Sequence, residues 1–161
     1  MFLGASLHVG SVAPDFTATD TDGQMRTLSE MVKKGPVVLA FFPKAFTSGC
    51  TREMQAYRDR IAELTSTGAQ VLAVSTDDLE TQRRFKTELG APFPFLADPE
   101  ARIVELYGVK TPIVTYAKRR TFVIGRDQRV LALQEGGDAI DPTAAIGACS
   151  AKPSTQPPAS P

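Results

Sequence analysis

The run Pro36-Val37-Val38-Leu39-Ala40-Phe41-Phe42 is apolar without interruption. A strand with one face in water alternates; one buried on both faces does not. This run therefore predicts a strand inside a sheet covered on both sides. Gln70 to Ser75 reads as a second buried strand. Between them, Gly49 to Thr67 is a long helix candidate ended by Gly68, with Met54, Tyr57, Ile61 and Leu64 recurring at helical spacing on its inner face. Thr47 and Ser48 are its N-cap candidates. Apolar strands alternating with helices argue an α/β architecture.

The remaining punctuation fits that plan. Val12 to Thr19 runs into the turn signal Asp22-Gly23 and predicts an N-terminal β-hairpin extension. Leu28 to Lys34 is a short helix before Gly35, and Asp77 or Asp78 caps a helix running to Leu89 and Gly90. Phe93 to Leu96 is a short extended piece, and Pro99 to Tyr107 a short helix. Arg120 to Ile124 and Val130 to Leu133 form a closing hairpin, and Pro142 to Cys149 a last helix with Asp141 as N-cap. A central mixed β-sheet with flanking helices accommodates this order.

Composition narrows the function classes. At 161 residues the chain has the size of one domain. We expect it to occupy residues 1–150, with 151–161 a disordered Pro/Ser-rich tail: Pro153 to Pro161 holds four of the twelve prolines and no charged side chain. Lys plus Arg and Asp plus Glu balance at 18 each, which gives no support to nucleic acid or a membrane surface as partner. No N-terminal apolar run has signal-peptide length and none approaches a membrane helix, so a cytoplasmic protein is expected. Two cysteines cannot make a disulfide-dense scaffold. With the single His8 they supply at most three of the four ligands of a His/Cys zinc site, so neither metal nor cofactor is expected. His8 reads as bystander surface.

Cys50 follows a buried strand and opens a helix, the place where open α/β sheets build sites. Helix N–H groups there favour a thiolate. Free cysteine is also among the most buried residue types. Position alone leaves the two readings equal.

The surrounding residues carry a resemblance. Pro43, Thr47 and Cys50 reproduce a P-x-x-x-T-x-x-C signature, preceded by Ala13-Pro14-Asp15-Phe16 and followed by Cys50-Thr51-Arg52-Glu53, Pro94-Phe95-Leu96-Ala97-Asp98 and Arg119-Arg120-Thr121-Phe122-Val123-Ile124. In this order, over about residues 9 to 148, the chain resembles the peroxiredoxins, most of all the Q-type (bacterioferritin comigratory protein) branch or its one-cysteine relatives. The resemblance implies a thioredoxin-like fold and a thiol peroxidase acting on hydrogen peroxide and organic hydroperoxides. Carried over, Cys50 resembles the peroxidatic cysteine, which passes through sulfenic acid. Thr47 matches the residue whose hydroxyl contacts thiolate and peroxide, and Pro43 the residue that shields the pocket. Arg119 matches the active-site arginine and Glu53 the glutamate that orients it. Arg120, one strand position on, is expected to face the other way. The implied reductant is thioredoxin, glutaredoxin or a low-molecular-weight thiol, and the implied assembly a monomer or homodimer.

Physical chemistry says why a thiol needs such company. A thiol of pKa about 8.5 is a few per cent thiolate at pH 7, so full ionisation gains roughly 30-fold. Lowering the pKa by about 2.5 units also weakens the nucleophile by roughly 10- to 20-fold. The net gain is about two- to threefold. The remaining acceleration must come from aligning the O–O bond with sulfur and stabilising charge on the leaving oxygen.

The sequence departs from the family at one point. Many Q-type members carry a second cysteine five residues after the first, where this chain has Gln55. Cys149 is the only other thiol, and it reads either as non-catalytic or as a resolving cysteine on a mobile terminus. Competing functions are weaker matches. A copper-handling relative needs C-x-x-x-C, but Met54 follows Cys50 at that spacing; a disulfide reductase needs C-x-x-C, and position 53 is Glu53. A peroxide-sensing or chaperone-like protein with little turnover is the alternative.

Overall fold

The computed structural model describes residues 6–151; the expected tail, apart from Ala151, lies outside the described residues. Among the described residues seven strands and six α-helices follow one another: β1 Thr17–Thr19, β2 Met25–Thr27, α1 Leu28–Lys34, β3 Val37–Phe41, α2 Ser48–Asp59, α3 Ile61–Thr65, β4 Gln70–Ser75, α4 Leu79–Leu89, β5 Phe95–Ala97, α5 Arg102–Leu106, β6 Arg120–Ile124, β7 Val130–Glu135 and α6 Thr143–Ser150, with a 3₁₀ turn at Gly136–Ile140. Five strands form a mixed sheet in the order β5-β4-β3-β6-β7, and β1 and β2 form a separate hairpin. Strands β3, β4 and β5 are parallel, while β6 runs antiparallel to both of its neighbours, β3 and β7.

All five residues of β3 are buried, as its unbroken apolar run requires. Val37, Leu39 and Phe41 pack into one core with Leu28 and Met31 of α1 and Val104 of α5. Val38 and Ala40 pack into a second core with Met54 and Tyr57 of α2, Leu64 of α3, Phe85 of α4 and Cys149 of α6. The sheet is thus covered on both faces.

Several expected boundaries are corrected. The helix expected over 49–67 is two helices. Arg60 leaves helical geometry at φ −111° and ψ 16°, and its guanidinium donates to Thr143 Oγ1 at 2.6 Å and Asp141 Oδ1 at 3.5 Å. Those tertiary bonds hold a break that the periodicity of Met54, Tyr57, Ile61 and Leu64 runs across. The first strand is Thr17–Thr19 only; Val12 makes an isolated bridge to Arg129 instead. The helix expected over 99–107 begins at Arg102, because Asp98 accepts the N–H groups of Arg102 and Val104 at 2.9 Å and Ala101 is left-handed at φ 58°. Of the two aspartates before α4, Asp78 caps, accepting from the Thr81 N–H at 2.8 Å. Pro142 precedes α6 at the cap position, while the Asp141 carboxylate accepts from the Thr143 N–H at 2.9 Å.

Candidate active site

β3 ends at Phe41, and residues 42–47 carry the chain to α2. Phe42 N–H donates to Val74 O at 3.0 Å, fixing the start of this link on β4. Cys50 is the third residue of α2, where a helix has unpaired N–H groups and its positive dipole end. Its side chain is packed beside Met54 and Tyr57 and is only 1% exposed.

The antiparallel pairing of β3 with β6 brings in the cation. Phe41 pairs with Arg120, so Arg119 enters beside the segment that follows β3. Arg119 Nη2 donates to Cys50 Sγ at 3.3 Å and Nη1 to Glu53 Oε1 at 2.5 Å. Cys50 and Glu53 lie three residues apart on one face of α2. A planar guanidinium can serve both at once. Arg120 faces the other way and pairs with Glu135 of β7 at 2.8 Å.

Glu53 is fully buried, and its Oε2 has no partner among the described residues. Burial pushes its carboxyl up to about 8, against the pull of the Arg119 charge and hydrogen bond. For Arg119, burial works against the charge, but Glu53 and Cys50 outweigh it and hold the guanidinium above its ordinary value.

Thr47 stands at the N-cap position, φ −80° and ψ 153°, but its side chain does not cap. Its hydroxyl donates to Lys44 O at 2.7 Å. Pro43 is half-buried at the mouth of the same segment. Arg119 is therefore in direct contact with both Cys50 and Glu53, and Thr47 and Pro43 lie on the segment leading into α2. Cys149 is buried in α6 in the same apolar core as Cys50, and burial raises its thiol to about 11. His8 is on the exposed N-terminal segment, bonded to Ser11. Among the described residues no cluster of His, Cys, Asp or Glu could hold a metal ion, and no helix is long and apolar enough to cross a membrane.

Two residues escaped the sequence reading. Gly49 leaves room for the guanidinium, since a Cβ there would sit 3.0 Å from Arg119 Nη2. Asp77, read only as a cap candidate, accepts the Ala45 N–H at 2.8 Å. The available signal was the Asp77-Asp78 pair itself: one aspartate suffices for a cap, and the other sits at the end of a buried sheet strand.

Comparison with known proteins identifies the family and the fold. Residues 9–132 match the AhpC/TSA family. The chain is 37% identical to alkyl hydroperoxide reductase E of Mycobacterium tuberculosis over 122 residues, 74% of this chain and 80% of that protein. Peroxidoxin BcpB of Mycobacterium tuberculosis superposes with a TM-score of 0.85 at 33% identity, covering 92% of this chain and 99% of the other. Peroxiredoxin Q of Xanthomonas campestris shares the fold with a TM-score of 0.79 at 24% identity, covering 90% and 96%. The expected thioredoxin-like fold, a mixed five-stranded sheet with an N-terminal hairpin, is thus the observed one. The chain belongs to the AhpC/TSA family of peroxiredoxins, which are thiol peroxidases.

Proposed function

We propose that Cys50 is the peroxidatic cysteine of a peroxidase for hydrogen peroxide and organic hydroperoxides. The observation that carries this reading is the 3.3 Å approach of Arg119 Nη2 to Cys50 Sγ at the start of α2. The thiolate attacks the outer oxygen of R–O–OH and the O–O bond breaks. Sulfur keeps the hydroxyl as sulfenic acid, and the leaving oxygen takes a proton and departs as alcohol or water. Arg119 and the free N–H groups of the first α2 turn stabilise charge on the oxygens. Glu53 holds the guanidinium in plane. Thr47 turns its hydroxyl from Lys44 O toward the peroxide, and Pro43 keeps water off the sulfur.

A thiol then condenses with the sulfenic acid, releasing water, and a second thiol frees Cys50 as the disulfide of the reductant leaves. Thioredoxin, glutaredoxin or a small thiol fills that role. Cys149 is packed and held protonated, which favours the one-cysteine course over internal resolution. A reducing compartment such as the cytoplasm suits two free thiols.

The test is one equivalent of peroxide on the reduced protein, with dimedone trapping, thiol counting and mass spectrometry, followed by steady-state turnover with each reductant class. One thiol lost, dimedone on Cys50, and no activity in Cys50→Ser support the reading. Oxidation that stops after one turnover with every reductant supports the sensing alternative. Turnover that survives Cys50→Ser overturns the assignment.

A further inference from the structure

We propose that Asp77 is a positioning residue that anchors the segment between β3 and α2 and so fixes where Cys50 and Thr47 stand. The proposal rests on the peroxidase reading for its catalytic consequence, but the anchor itself stands on geometry.

The segment between Phe42 and Thr47 has no ladder of its own, yet it sets the entry of α2. It also contains an unfavourable conformation: Phe46 is left-handed at φ 68°, a region that L-residues with a Cβ avoid. Such a conformation persists only where the surroundings over-determine it. The Phe46 ring packs on Phe85 at 5.1 Å and under the Arg84 guanidinium at 5.5 Å, although it is 44% exposed. Thr47 Oγ1 closes the turn locally on Lys44 O.

Asp77 supplies the bond that ties this turn to the sheet. Its Oδ2 accepts both the Ala45 N–H at 2.8 Å and the fully buried Ser75 hydroxyl at 2.6 Å. The Asp77 N–H in turn donates to Ser75 Oγ at 3.2 Å. Ser75 is the last residue of β4, which is paired with β3, so the turn is referenced to the strand it has just left. One carboxylate oxygen taking two donors makes charge-assisted bonds, stronger than neutral ones. The neighbouring Asp78 performs the helix cap.

The test compares Asp77→Ala, Asp77→Asn and Asp78→Ala. Three readouts are needed: kcat/KM for hydrogen peroxide, amide hydrogen exchange over residues 42–50, and alkylation of Cys50 by iodoacetamide, which needs no peroxidase activity. Asp77→Ala is expected to lower kcat/KM by about 10- to 100-fold, the scale of a misplacement near 1 Å. It should also speed exchange over 42–50 and alkylation of the buried Cys50. Asp77→Asn keeps an acceptor oxygen and should restore kcat/KM to within about threefold of wild type. Asp78→Ala loses a cap and lowers the Tm, but should leave all three readouts unchanged. If Asp77→Ala does not fold, Ser75→Ala is expected to move the readouts the same way by a smaller amount.

Unchanged exchange and alkylation in Asp77→Ala, or changes matched by Asp78→Ala, overturn the anchor. A wild type without turnover, combined with faster exchange and alkylation in Asp77→Ala, supports the anchor and removes the peroxidase reading.

Discussion

Arg119 uses one guanidinium nitrogen on Glu53 and the other on Cys50, so its geometry and its charge act together. Arg119→Lys keeps the charge but loses the fork. Loss of one preorganised donor to a developing charge typically costs about 10²- to 10³-fold in rate. We expect kcat/KM for peroxide to fall by about 10²-fold in Arg119→Lys and by about tenfold or less in Glu53→Gln, which keeps an acceptor. Peroxide consumption under excess reductant measures both, and equal losses would show that Glu53 does more than orient. Gly49 makes the space argument. Alanine is the better helix former by under about 1 kcal/mol, but its Cβ crowds Nη2 at 3.0 Å. Gly49→Ala should hold or raise the Tm while lowering kcat/KM by about three- to tenfold. Unchanged kcat/KM would show that the guanidinium relaxes without consequence.

At the scale of elements, what was legible depended on whether the cause is local. β3 and β4 were readable because burial on both faces writes itself into consecutive residues, and Asp78 and Gly90 mark the ends of α4 by ordinary capping chemistry. The break at Arg60 was not, because the groups that hold it, Thr143 and Asp141, arrive more than eighty residues later. The family motif pointed to Arg119 and Glu53 as partners of Cys50, yet only the β3–β6 register explains their meeting. Asp77 was missed for the same reason: its partner, the Ala45 N–H, is 32 residues upstream. α6 yields a prediction here. Cys149 is 7% exposed and its thiol is pushed up to about 11, so it offers little thiolate near neutral pH. In the reduced native protein it should react with a thiol reagent at pH 8 far more slowly than after denaturation. Cys149→Ala should keep peroxide turnover with an external thiol within about twofold. A large fall in turnover, or a Cys50–Cys149 disulfide after one equivalent of peroxide, would assign Cys149 to resolution.

At the scale of the whole molecule, the sheet separates two apolar cores, and the site sits at the end of β3 where the second core meets the chain turning into α2. Building a charged site against that core leaves a mark on the pH dependence of folding. Glu53 is raised from 4.5 to about 8 and Cys149 from 9.0 to about 11, both by burial. The native protein therefore holds protons that the unfolded chain has already released. Stability falls with pH wherever the native state binds more protons. The Glu53 contribution is complete below about pH 4.5 and is lost as pH rises to about 8; that of Cys149 is lost between about 9 and 11. Tyr57 and Tyr107, also raised by burial, add the same sign above pH 10. Asp20 acts oppositely: burial would raise it, but Arg26 and the Gln24 and Asp22 N–H groups hold it low, so its contribution is lost in acid below about 3.8. We expect thermal stability to be highest in mildly acidic solution and to decline toward alkaline pH. Circular-dichroism melts from pH 4 to 11 test this. Glu53→Gln should flatten the decline between about 4.5 and 8, and Cys149→Ser the one between about 9 and 11. A wild-type Tm that stays flat between pH 5 and 8 and drops only below about 4.5 would mean that Arg119 keeps Glu53 ionised in the folded protein, and the acid side would then be the weak one.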